Sequence, residues 1–193
     1  MPVVCAFVPS CNAWEEVLDA LDGASPLVED GGPGVAFLEM RGIDGDARRW
    51  IASVRSALEG CAACSSLEFR VSLASNKFVA LCAARSGDGT VVARGREAEF
   101  VAPLPLAALD LDPKIIERLR LFGVRTLGEL AALPHGPFVR RFGPPSGLWH
   151  ARANGVDETP LVPRPRALRI DRSLYGEGTA EYEEQVLFAL RTL

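Results

Sequence analysis

Apolar and polar positions alternate along the chain with two distinct periods, and each change of period marks a change of element. Val3 to Val8 is an apolar run of strand length. Trp14, Val17, Leu18 and Leu21 then recur at helical spacing behind Asn12, which is placed to cap the helix, and Gly23 ends it. The turn cluster Gly31-Gly32-Pro33-Gly34 introduces a second strand-like run, Val35 to Met40, and Gly42 to Gly45 turn the chain again. Trp50, Ile51, Val54, Ala57 and Leu58 share one face of a helix predicted over Ala47 to Glu59. Leu67, Phe69, Val71 and Leu73 alternate with Glu68, Arg70 and Ser72, the period-two pattern of a strand with one buried face. Ser75 or Asn76 is positioned to cap a helix carrying Phe78, Val79, Leu81 and Cys82, and Val91 to Ala93 resumes extended structure.

Past Phe100 the strand pattern stops, and Pro103, Pro105 and Pro113 punctuate a series of short helices. Asp112 and Pro113 fit the N-cap and first position of a helix through Ile115, Ile116, Leu119 and Phe122 that stops at Gly123. Thr126 and Glu129 form a capping box for the next helix, through Leu130 and Leu133. Two further short helices are predicted, one around Phe138 to Phe142 ending at Gly143, one from Ser146 through Trp149 ending at Gly155. Pro160, Pro163 and Pro165, interleaved with Arg164, Arg166 and Arg169, read as a stiff extended linker. Beyond it, Leu168 to Tyr175 suits a strand, and Tyr182, Val186, Leu187 and Leu190 suit one face of a helix. The pattern predicts an α+β chain in three parts. A partial sheet with helices occupies residues 1–100, a small all-α module residues 101–163, and a linker with the start of a third unit residues 164–193.

With 48% apolar and 24% charged residues among 193, the composition is that of a folded globular chain. No apolar run approaches the roughly 20 residues that cross a bilayer, and no basic residue precedes the first run as a signal peptide would require, so cytoplasm is the expected location. The five cysteines, Cys5, Cys11, Cys61, Cys64 and Cys82, are odd in number and sit in or beside apolar segments, which predicts reduced, mostly buried thiols. Cys61 and Cys64 form a CxxC, but zinc takes four ligands, and the two histidines, His135 and His150, stand far along the chain. Zinc binding and redox chemistry are the lesser readings of that pair, and no cofactor or metal is expected.

Charge is uneven. The net charge is -4, yet residues 1–100 carry 9 Lys and Arg against 14 Asp and Glu, whereas residues 101–175 carry 11 against 7. A nucleic-acid footprint, if present, is local to the second half.

Several segments in sequence resemble the Y-family translesion DNA polymerases. Ser25-Pro26-Leu27-Val28-Glu29 and Ala36-Phe37-Leu38-Glu39-Met40-Arg41-Gly42 are similar to the palm segments SP-x-VE and AYLDxTG. Phe69 to Phe78, with Ser75-Asn76-Lys77, is similar to the later palm strand and helix. Gly123 to Leu130, Arg141-Phe142-Gly143 and Ala153 to Asp157 are similar to thumb segments. The resemblance covers residues 25 to 175. It implies a partial palm-like sheet, a helix-hairpin-helix-like thumb and the first elements of a little finger. Gly34 and Val35 fall where the family's catalytic Asp-Glu pair stands, and neither side chain offers an oxygen to magnesium. The first palm strand with its aspartate finds no evident counterpart. On this reading the chain is not an enzyme and has no catalytic residue. It is most similar to the catalytically silent ImuB-like branch, which implies a DNA-repair adaptor associated with a sliding clamp, a RecA-like accessory protein and an error-prone DNA polymerase. Gln185-Val186-Leu187-Phe188 is one residue short of a QxxLF clamp peptide and reads as part of the last helix.

The family's phosphate-holding GIG turn maps onto Asp110-Leu111-Asp112, whose two carboxylates would repel a phosphate. The candidate DNA ligands are therefore cations: Arg125, Arg140, Arg141, Arg152, Arg164, Arg166, Arg169 and Arg172, whose guanidinium forks suit phosphate oxygens. Lys77 in the SNK match, and Arg85, near the position of a triphosphate-contacting lysine in active relatives, complete the set. A solvated face explains these charges equally well. Trp14, Trp50 and Trp149 read as core, and His135 as a loop residue. Three functions stay open: an adaptor on damaged or primer-template DNA, a protein-interaction module without DNA contact, and a degenerate polymerase fragment.

Overall fold

A five-residue strand at the head of the chain, Val3–Phe7 (β1), organises the sheet, because it pairs along its full length on both edges. The computed structural model describes residues 2–165. β1 runs antiparallel to Val35–Glu39 (β3) on one side and to Arg70–Ala74 (β4) on the other, with Cys5 opposite Phe37 and Ser72. Val28–Asp30 (β2) adds to the outer edge of β3, giving the order β2-β3-β1-β4. Side chains alternate across this sheet as period two requires. Val4, Ala6, Val8, Ala36, Leu38, Val71 and Leu73 face one apolar cluster, and Val3, Cys5, Val35, Phe37 and Ala74 face another.

Helices Trp14–Leu21 (α1) and Ala47–Glu59 (α2) close the first face with Val17, Leu18, Leu21, Ile51, Val54 and Leu58. α2 begins where the Asp46 carboxylate accepts the Arg49 N–H at 2.9 Å. The second face is covered by Lys77–Ser86 (α3), capped by the Asn76 side chain, which accepts the Val79 N–H at 3.0 Å. The remaining helices are Glu97–Val101 (α4), Pro113–Leu121 (α5), Leu127–Ala131 (α6), His135–Phe142 (α7) and Ser146–Ala153 (α8). Their buried residues, among them Val101, Leu119, Leu127, Leu130, Phe138 and Ala153, join α3 and the second sheet face in one apolar core.

The elements differ from the sequence pattern in places. The strand expected from Leu67 starts at Arg70, because its partner β1 ends at Phe7, directly opposite Arg70. Val91 to Ala93 is held by a single parallel bridge to Leu73 rather than a strand. Asn12 does not cap α1, whose N-cap is Ala13 and carries no side-chain bond. His135 opens α7 instead of lying in a loop, and α4 spans the point where the helical half was expected to begin. The strand and helix expected beyond residue 167 lie outside the described residues. Among the described residues, no helix is long and apolar enough to cross a membrane.

All five cysteines are free thiols. Burial raises Cys5, pushes Cys82 up to about 11, and, with the Cys61 thiol beside it, pushes Cys64 up to about 12, so these thiols are protonated near neutral pH.

Gly34 takes a φ of +78°, and its carbonyl accepts the Val8 N–H at 2.7 Å. A Cβ there would stand 2.4 Å from the Val8 carbonyl oxygen, so Gly34→Ala is expected to destabilise the chain by about 2 kcal/mol or more in urea unfolding. Gly42→Ala, at a φ of +79° with open space around it, is expected to cost only about 1 kcal/mol. Asp88 pins the loop along the outer edge of β4. Partial burial opposes its ionisation, but the Val71 N–H and the Arg55 guanidinium outweigh that and hold the carboxyl below its ordinary 3.8. A depressed folded value means stability present above pH 3.8 and lost as pH falls below it. Asp88→Asn is expected to flatten that acid limb in a pH series of thermal unfolding.

Candidate nucleic-acid interface

The arginines of the helical half gather where two helices end. α5 starts cleanly because the Asp112 carboxylate accepts the Lys114 N–H at 2.7 Å and Pro113 fills its first position. It stops at Gly123, with φ +82°. α6 follows through a complete capping box: the Thr126 hydroxyl accepts the Glu129 N–H, and the Glu129 carboxylate accepts the Arg125 and Thr126 N–H groups at 2.6 and 3.0 Å. Those two N–H groups hold the Glu129 carboxyl below the usual range. α7 stops at Gly143, with φ +86°, and α8 restarts at Ser146.

The last turns of α5 and α7 carry Arg118, Arg120, Arg140 and Arg141, placed where the partial negative charge of a helix C-terminus favours cations. The two ends meet through Phe122 and Phe142, whose rings pack edge to face at 6.4 Å. Each helix then lends an arginine to the other's ring. Arg141 lies 4.8 Å over Phe122, and Arg118 lies 5.3 Å over Phe142. All four arginines are exposed, and none pairs with a carboxylate among the described residues. A guanidinium stacked by its face keeps its N–H edge for a second partner, and that fork geometry matches a phosphate. Beside them, Leu119, Leu133, Pro137 and Phe138 line an apolar cleft of about 330 Å³. Arg118 and Arg120 are absent from the cations read from the sequence as DNA ligands, and Phe122 enters there only as an apolar position of the helix that stops at Gly123. The readable signal was an arginine-bearing last turn repeated in two helices that both stop at glycine.

The other expected phosphate ligands are engaged elsewhere. Lys77 donates to both Glu29 carboxylate oxygens, at 2.8 and 3.0 Å, and to the Pro160 carbonyl. Arg85 pairs with Asp110 at 3.1 Å, and Arg152 reaches Asp157 at 3.5 Å while lying over Phe78. Arg164 is held by three carboxylates of α1 and its C-cap: Glu15, Asp19 and Asp22. Arg125 is exposed at the α5–α6 turn. Arg166, Arg169 and Arg172 lie outside the described residues. Among the described candidates, the structure thus brings Arg140 and Arg141 together and disperses the others.

The Asp110-Leu111-Asp112 turn is also occupied from within. Asp110, in the left-handed region at φ +50°, faces Arg85, and Asp112 already fills the start of α5. A carboxylate sits where an incoming phosphate would need the free N–H groups. Among the described residues, no three His, Cys, Asp or Glu side chains converge on a point that could hold a metal ion.

Comparison with known proteins gives two kinds of likeness. A protein named DNA polymerase IV from Dehalococcoides mccartyi is 28% identical over 165 residues, covering 82% of this chain and 42% of its own. One of the same name from Halobacterium salinarum is 33% identical over 101 residues, 51% of this chain and 25% of its own. Among solved structures, a DinB family error-prone DNA polymerase from Sulfolobus solfataricus superposes with a TM-score of 0.64 at 16% identity, over 76% of this chain and 46% of that one. The insertion ternary complex of Dbh DNA polymerase gives 0.60 at 16% identity, over 72% and 42%. No family model matches. The chain therefore spans less than half the length of these relatives, and its α+β fold is that of part of a Y-family polymerase.

The expectation that the chain is not an enzyme is overturned by these relatives, whose shared name is that of an enzyme. Gly34, which the resemblance aligns with the family's catalytic pair, is a turn glycine packed on the Val8 carbonyl. The similarity, distant and partial, assigns no catalytic residue here.

Proposed function

We propose that this chain, related to the Y-family DNA polymerases, binds the phosphate backbone of primer-template DNA in translesion DNA repair. The helical half makes the contact through Arg118, Arg120, Arg140 and Arg141. The observation that supports this is the cross-stacked pair of helix ends, which presents four arginines without a carboxylate partner among the described residues. Lys77, Arg85, Arg152 and Arg164, by contrast, are already neutralised by Glu29, Asp110, Asp157 and the α1 carboxylates. Arg125, one turn away on the same hairpin, extends the footprint. Contacts to phosphate alone carry no sequence information, so the expected binding is indifferent to sequence and sensitive to salt.

A second reading has one observation in its favour. Leu121 and Phe122 are 82% and 56% exposed beside the apolar cleft, a surface that suits a protein of the repair assembly, such as a sliding clamp, a RecA-like accessory protein or a partner polymerase.

Replacing Arg140 and Arg141 together by Glu is expected to weaken binding to a primer-template duplex by about tenfold or more and to lower the slope of log K against log salt by about 2. Fluorescence anisotropy over a salt series measures both. Unchanged affinity and slope would leave the protein-contact reading in possession of this surface.

A further inference from the structure

Residues 155–165 leave α8 and return along the outer strand of the sheet. The Gly155 carbonyl accepts from Asn76 Nδ2 at 2.9 Å, and the Pro160 carbonyl accepts from Lys77 Nζ at 2.8 Å. The Val162 N–H then donates to Glu29 Oε2 and the Arg164 N–H to the Val28 carbonyl, both at 2.8 Å. Glu29 and Val28 belong to β2, the edge strand, so this strap covers an otherwise open sheet edge.

The strap ends in a guanidinium seated among carboxylates. Arg164 Nη1 donates to Glu15 at 3.1 Å, and Nη2 donates to Asp19 and to Asp22 at 2.8 Å. These acids stand at i, i+4 and i+7, one above the other on one face of α1 and its C-cap. Such a row is self-repelling, and it ends at a helix C-terminus, where negative charge is disfavoured. α1 has no base in its own last turn. The missing cation arrives from 142 residues away.

We propose that the α1 carboxylate row and the β2 edge form a receptor for an extended, arginine-bearing segment, filled by the chain's own residues 162–164 as a salt-sensitive latch. The latch fixes where the chain leaves the sheet, and Arg164 is its positioning residue. Its two anchors differ in kind. Lys77 and Glu29 are 11% and 15% exposed and resist screening; at the other anchor the Arg164–Asp22 contact is similarly sheltered, but Glu15 and Asp19 on its rim are 82% and 73% exposed. Salt therefore screens two of the three contacts and loosens the Arg164 end while Val162 stays bound. This inference stands apart from the proposed DNA contact, which uses other residues.

Amide exchange measured by NMR on the full chain tests it. Between ~0.05 M and ~1 M NaCl, exchange of the Arg164 amide is expected to quicken about tenfold, with Val162 and the core amide of Cys5 unchanged. Asp19→Asn with Asp22→Asn is expected to reproduce the open state at low salt. The charge swap Arg164→Asp with Asp22→Arg is expected to restore protection at position 164. If the double variant loses protection at Cys5 as well, Asp19→Asn alone, at an exposed position, is expected to give a smaller rise confined to Arg164. An Arg164 amide that exchanges as in an unstructured peptide at low salt, or one that neither salt nor these substitutions accelerate, overturns the latch.

Discussion

α3 is closed in on both sides, and this burial holds the two halves of the chain together. Phe78, Val79, Ala80, Cys82, Ala83 and Ala84 are all buried, against β1 and β4 on one side and against the α4–α8 region on the other. Small side chains at 80, 83 and 84 let the backbone approach closely, and the one polar group the sheet buries beneath them is satisfied: the Ser72 hydroxyl donates to the Ala80 carbonyl at 2.7 Å. At its start, α3 carries Asn76 and Lys77, which take hold of Gly155 and Pro160 and so fix the exit from α8. A larger residue at Ala83 would act on both sides at once, since there is no free face toward which it could turn.

That arrangement also sorts the cations. An acidic chain with a net charge of -4 can still present a local basic face, provided its other arginines are neutralised at home. Arg85, Arg152 and Arg164 serve as internal ties, each to a named carboxylate. The helix ends at Phe122 and Phe142 keep theirs, because α5 and α7 bring arginine to arginine and ring to ring, with no acid among the described residues to meet them. Contact with the rings restrains the two guanidinium groups, so that on the proposed reading less entropy is lost in meeting a phosphate.

Much of this was legible in residue order, and the failures have physical causes. α2, the Thr126 capping box and the Asp112-Pro113 start of α5 each follow from local rules, and each is where those rules put it. Boundaries set by a partner were not legible: β4 is short because β1 is short, and Val91 joins the sheet by one bridge only. The candidate site shows the same division. That arginines cluster in the second half could be read from the chain, but which of them are already paired could not, since Arg164 meets its acids across 142 residues. A short apolar run reveals its place at the centre of a sheet only through the strands it pairs with.

On the proposed reading, DNA meets the chain at the ends of α5 and α7. Backbone and arginine side-chain NMR signals, followed while a primer-template duplex is added at low salt, report that directly. Shifts concentrated at Arg118, Arg120, Phe122, Arg140, Arg141 and Gly143, fading as salt rises, are the expected result. Shifts confined to the sheet or to the Asp110–Asp112 turn, with the two helix ends unmoved, would contradict it.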